Sequence, residues 1–76
     1  MNTELIINLN LTSDINEFIS IVSTVDCDVD LVRDRYIIDA KSIMGIFSLD
    51  LSKPIKLVIH SNDMNIIEKF AKWRVN

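Results

Sequence analysis

Seventy-six residues bound the chain to one domain of marginal size, spanning 1–76, in which only about 60% of the unfolded chain's surface is buried on folding. With 49% apolar residues, one Gly and one Pro, the composition supports a packed core and excludes a disordered segment. A net charge of −3 excludes the broad cationic surface that nucleic-acid binding requires, and no apolar run approaches the roughly 20 residues of a membrane span.

Cys27 stands alone, which excludes an intramolecular disulfide. With no secretory pattern in Met1-Asn2-Thr3-Glu4, a reducing, cytoplasmic setting is expected. Lys69, Lys72 and Arg74 form a local basic group near the end of the chain, read as cations complementing the dipole of a final helix.

In chain order, Thr3 to Leu11 alternates as a half-buried strand, with Leu5, Ile7, Leu9 and Leu11 on one face and Glu4, Asn8 and Asn10 on the other; Ile6 breaks the pattern. Thr12, Ser13 and Asp14 are three successive N-cap candidates, and Asp14 with Glu17 has capping-box spacing. A helix is therefore expected to start within this triplet and to run to about Val25, burying Ile15, Phe18, Ile19 and Val22.

Cys27, Val29 and Leu31 then alternate with Asp26, Asp28 and Asp30, predicting a second strand with a wet acidic face. Arg33-Asp34-Arg35 leads into a third strand, Tyr36 to Ala40. The two strands should form a hairpin, and because the connection lacks glycine it should be a longer loop or a strained turn.

Ser42 is placed to cap a helix of about two turns through Leu49, in which Gly45 costs about 1 kcal/mol relative to Ala. Pro54 marks a loop or a strand start, after which Ile55, Leu57 and Ile59 alternate with Lys56, Val58 and His60 as a fourth strand. Ser61 or Asn62 should cap a last helix from about Asp63, with Met64, Ile66, Ile67, Phe70, Ala71 and Trp73 forming its apolar stripe. The order of elements predicts an α+β domain whose mainly antiparallel sheet is covered on one face.

Catalytic signals are sparse. Asp26-Cys27-Asp28-Val29-Asp30 starts like a calcium loop, but the sixth position is Leu31 and the twelfth is Ile37, where glycine and glutamate are needed. His60 has no second histidine with which to build a zinc cluster or an acid/base pair. Cys27 is expected to be an inert buried thiol, and no phosphate loop or nucleophile elbow is present. No metal, cofactor or enzymatic activity is expected.

Ser42 reads on spacing as a helix cap, yet a phosphate there would meet the free N–H groups and positive dipole end of a helix. Ile43, Met44, Ile46 and Phe47 cannot all point inward from so short a helix, so an exposed apolar patch beside Ser42 is expected.

The run Lys41-Ser42-Ile43-Met44-Gly45-Ile46-Phe47-Ser48-Leu49 closely resembles the regulatory-serine segment of HPr, the histidine-containing phosphocarrier family of the bacterial sugar phosphotransferase system. The resemblance runs in order from about Asn8 to His60, takes in Asp28-Val29-Asp30-Leu31, and is looser over the final helix. It implies the family's open-faced sandwich with βαββαβα order. It also implies a kinase-modified regulatory serine at Ser42, with Lys41 or Lys53 as the basic partner of its phosphate, and partner contacts through Ile43, Met44 and Phe47.

The family's phosphocarrier motif, a glycine, one residue, the active histidine, alanine, arginine and proline, should fall across Leu9 to Asp14. Leu11 takes the histidine's place and Ser13 the arginine's. Leucine has no nucleophilic atom, so phosphoryl relay by that mechanism is not expected. Thr12 and Ser13 are ordinary capping alcohols, and Asp14 repels phosphate.

The reading is thus a monomeric regulatory or adaptor module acting through the Ser42 helix. Its expected partners are proteins of the phosphotransferase system or its regulators, among them a serine kinase, with no nucleic acid and no membrane. The alternative is a structural subunit or small-ligand-binding α+β domain with a permanent interface at the same helix. A small hydrolase has no pair of titratable groups with complementary roles, and an RNA-binding sheet lacks paired aromatics.

Overall fold

The computed structural model describes residues 2–9, 11–42 and 53–75. Its strands are β1 (Thr3–Ile7), β2 (Val29–Arg33), β3 (Tyr36–Asp39) and β4 (Ile55–Ile59), and its α-helices are α1 (Thr12–Val22) and α2 (Met64–Glu68), followed by a 3-10 turn at Ala71–Trp73. The strands make one sheet in the order β1-β4-β2-β3, antiparallel throughout. The expected α+β architecture, an open-faced sandwich with helices on one side, is the architecture observed.

Alternation decides which face each side chain takes. The register aligns Leu5, Leu57, Leu31 and Ile38 across all four strands, and the first three of these are buried together with Ile7, Val29, Ile55 and Ile59. Phe18 and Val22 of α1 close over them, as do Phe70 and Trp73 from the end of the chain. Phe18 lies 5.6 Å from Phe70 and 5.7 Å from Trp73 between ring centroids, the latter pair close to edge-on. Such tilted contacts add about 0.5–1.5 kcal/mol per pair to the burial itself.

The end of the chain also closes a sheet edge. The Asn8 N–H donates to the Trp73 carbonyl at 2.9 Å, and the Val75 N–H donates to the Ile6 carbonyl at 2.8 Å. Arg74 forms a bridge with Ile7. The outer edge of β1 is thereby occupied, which removes a template for pairing with another chain.

Several expected boundaries shift. The first strand stops at Ile7, short of Leu11, which is exposed and serves as the N-cap of α1. Thr12, Ser13 and Asp14 therefore fill the first helical turn, and the expected capping box does not form. The helix ends at Val22, where Ser23 is the C-cap, because the Ser23 and Thr24 hydroxyls donate to the carbonyls of Ser20 and Ile21 and compete with continued helix.

The second strand begins at Val29, so Cys27 precedes it, half-buried against the core. In the last segment Asp63 is the cap, its carboxylate accepting from the Asn65 N–H at 2.9 Å, in place of Ser61 or Asn62. The single expected helix divides into α2 and the 3-10 turn, which leaves Met64 and Ala71 exposed while Phe70 and Trp73 turn inward. No basic residue lies in the last turn of α2. Lys69 is its C-cap, Lys72 lies in the last turn of the 3-10 segment and Arg74 is that segment's C-cap, so the three cations fall at helix C-terminal ends, as expected.

The hairpin uses a strained turn, one of the two forms anticipated. Arg33 pairs with Tyr36, leaving Asp34 and Arg35 as a two-residue connection in which Asp34 takes a φ of 54°. A left-handed residue other than glycine costs roughly 1–2 kcal/mol, and aspartate is among the few that tolerate it. The expected helix from Ser42 through Leu49 lies outside the described residues beyond Ser42 itself.

Phe18→Ala is expected to destabilise the domain by about 3–5 kcal/mol, lowering the thermal midpoint in circular dichroism by at least roughly 15 °C. Asp34→Gly should hold or raise the midpoint, whereas Asp34→Val, whose branched Cβ resists positive φ, should lower it by about 5 °C.

Candidate functional site

Two positions singled out in the sequence, Leu11 and Ser42, are described; Ile43, Met44 and Phe47 lie outside the described residues. Leu11 sits at the mouth of α1 with φ −104° and ψ 148°, the extended geometry of an N-cap, and its carbonyl accepts the first helical bond from the Ile15 N–H at 3.1 Å. Its side chain makes no capping hydrogen bond and is 62% exposed. Serine, threonine, aspartate and asparagine stabilise this position, and leucine does not. An exposed leucine there is locally unfavourable on two counts, since it also presents apolar surface to water.

No imidazole stands at the mouth of α1. The one histidine, His60, lies beyond the end of β4. Its ring nitrogens are 2.7 Å from Asp30 Oδ2 and 3.1 Å from Asn2 Oδ1. This agrees with the surface role expected for it. Asp14 is the acidic residue in the first turn of α1, and its charge opposes the approach of an anion to the N–H groups around it.

Ser42 follows β3 and is exposed. The backbone before it is tightly turned: the Ala40 N–H donates to the Val29 carbonyl at 2.8 Å, the Ser42 N–H to the Asp39 carbonyl at 2.9 Å, and the Lys41 N–H to Asp39 Oδ1 at 2.9 Å. Asp39 thus acts as a turn-forming side chain. The Lys41 ammonium reaches away to the Val25 carbonyl at 3.0 Å, tying this turn to the segment after α1. Lys53, the other basic candidate, is exposed, and its carbonyl accepts from Arg33 Nη2 at 3.0 Å.

A hollow of about 300 Å³ is lined, among the described residues, by Ile19, Ser23, Ala40 and Lys41. Its partly apolar wall suits a side chain of a partner better than a charged ligand. Lys72 was grouped with Lys69 and Arg74 in the sequence; in the fold it pairs with Glu17 of α1 and lies 5.3 Å from the Trp73 ring centroid. A pairing across 55 positions has no local signal.

Among the described residues no group of three or more His, Cys, Asp or Glu gathers as a metal site, and no helix is long and apolar enough to cross a membrane.

Two solved structures share this architecture. HPr-C-His from Thermoanaerobacter tengcongensis superposes with a TM-score of 0.74 at 23% identity, covering 95% of this chain and 88% of that one. The phosphocarrier protein HPr from Bacillus anthracis superposes at 0.71 and 20% identity, covering 99% and 96%. No protein-family model matches the sequence, and neither does any curated protein. The likeness therefore establishes an HPr-like fold, carried over nearly the full length of both chains.

If leucine at the helix mouth is held against local preference, Leu11→Ser should raise stability by about 0.5–1 kcal/mol, seen as a thermal midpoint higher by about 4 °C.

Proposed function

We propose that this chain is an HPr-like protein of the bacterial sugar phosphotransferase system that does not carry phosphoryl groups and acts as a regulatory or adaptor module through the surface around Ser42. The carrying observation is Leu11, exposed at the N-cap of α1, where the family places its phosphohistidine. A leucine side chain offers only carbon and hydrogen, and Ser13 supplies no cation to balance a phosphoryl group. The fold shared with HPr structures supports the assignment to this system. The partners are then proteins of that system or its regulators, in the cytoplasm, and the module binds rather than catalyses.

Ser42 is the regulatory position in this reading. It is exposed and follows a turn braced by Asp39 and Lys41, so a kinase can approach its hydroxyl. A phosphate added there carries about −1.5 to −2 charge, enough to change which partner binds beside it. Ile43, Met44 and Phe47 supply the apolar contacts.

The reading is tested with two phosphoryl donors. Phosphoenolpyruvate with the first enzyme of the phosphotransferase system should leave the protein at its unmodified mass, and an acid-labile phosphoryl adduct would refute the absence of carrier activity. ATP with the family's serine kinase should add one phosphate to the wild type and none to Ser42→Ala. Failure to modify the wild type would remove the regulatory half of the proposal.

A further inference from the structure

The helices use one face of the sheet. On the other, the register arranges side chains in rows that cross the strands, with Ile6, Lys56, Val32 and Ile37 in one and Glu4, Val58, Asp30 and Asp39 in the next. None of these side chains is buried, and Ile37 is 70% exposed. Exposed Asp28 lies just beyond β2, its carbonyl accepting from the His60 N–H at 3.0 Å. Glu4, Asp28, Asp30 and Asp39 thus meet, among the described residues, one lysine, Lys56, which is 3.4 Å from Glu4, and His60, whose Nε2 is 2.7 Å from Asp30 Oδ2.

These carboxylates do not converge as an ion site, since no such cluster occurs among the described residues. They form an acidic row, with Val58 within it, beside a row of three apolar side chains in which Lys56 stands between Ile6 and Val32. Asp30 and Asp39 are direct cross-strand partners, an arrangement of like charges that weakens a sheet. Apolar side chains left in water add to the cost. One kind of surface relieves both, an apolar strip flanked by cations.

We infer that this face docks a cationic amphipathic helix from a partner protein. Side chains in a row repeat about every 4.8 Å across the strands, and the two rows are about 7 Å apart. Positions i, i+3 and i+4 of a helix are spaced by about 5–6 Å, so its apolar stripe can follow Ile6, the methylene stem of Lys56, Val32 and Ile37, with the Lys56 ammonium turned to Glu4, while lysines or arginines on its flank reach Asp30 and Asp39. A second copy of this chain fits poorly, because it sets carboxylates against carboxylates. The face lies opposite the helical layer, so docking here leaves the mouth of α1 uncovered.

The probe is a synthetic helix of leucine and lysine in heptad spacing, with a leucine and glutamate helix of the same length as its counterpart, titrated at low salt and followed by amide resonances and calorimetry. The lysine peptide should shift the amides of Ile6, Val32, Ile37 and Val58, and the glutamate peptide should not bind. Asp30→Asn with Asp39→Asn, which keeps both side chains as acceptors, should weaken binding about tenfold. Asp14→Asn with Glu68→Gln, on the helices, should change it by less than about twofold.

Ile37→Ser gives a second reading of the same face and should weaken binding about fivefold; an unchanged amide spectrum away from the substitutions verifies each fold. Equal weakening by the two double variants, shifts centred on α1, equal binding of the glutamate peptide, or self-association that occupies the face would each overturn the inference.

Discussion

The contact of Phe18 with Phe70 and Trp73 is the constraint on which the remaining structure depends. A sheet with one wet face has only its other face to bury, and in a chain of this size the covering layer must be supplied by a few large side chains. Phe18 comes from α1 and the other two from the last segment, so the start and end of the chain are stabilised together. The last helix stops at Glu68, and the turn and 3-10 segment that follow carry both rings against Phe18.

The same packing places the edges and the site. With Trp73 seated, its carbonyl and the following residues reach Asn8 and Ile6 and seal the outside of β1. That pins the chain just before α1, and Leu11 is held at the mouth of the helix with its side chain in water. The exposed leucine is the point at which local preference and architecture disagree, and such disagreements are where function is to be sought. Across the sheet, the cross-strand pair of Asp30 and Asp39 and the exposed Ile37 go against local preference as well, a consequence of the strand register.

Much of this was legible in short-range pattern. Alternation at Leu5, Ile7 and Leu9, at Val29 and Leu31, and at Ile55, Leu57 and Ile59 identifies core positions without knowledge of strand order. The i, i+3, i+4, i+7 spacing of Ile15, Phe18, Ile19 and Val22 does the same for α1. The resemblance around Ser42 indicated the fold correctly. The boundaries were less legible: Leu11 continues the alternation of a strand, and only the position of the helix mouth takes it out of that strand. The rich supply of capping residues after it concealed a helix that starts one residue earlier.

By itself, then, the sequence determined the class of fold, most of the buried set and the identity of the residue, a leucine, at position 11, because each follows from side-chain period or residue chemistry at one position. The tertiary structure alone decided that Lys72 belongs with Glu17, that His60 meets Asp30 and Asn2, that Asp34 takes a left-handed turn, and that the chain's end seals β1. Those outcomes depend on strand order and register, which bring residues dozens of positions apart within a few ångströms, and no local period encodes them.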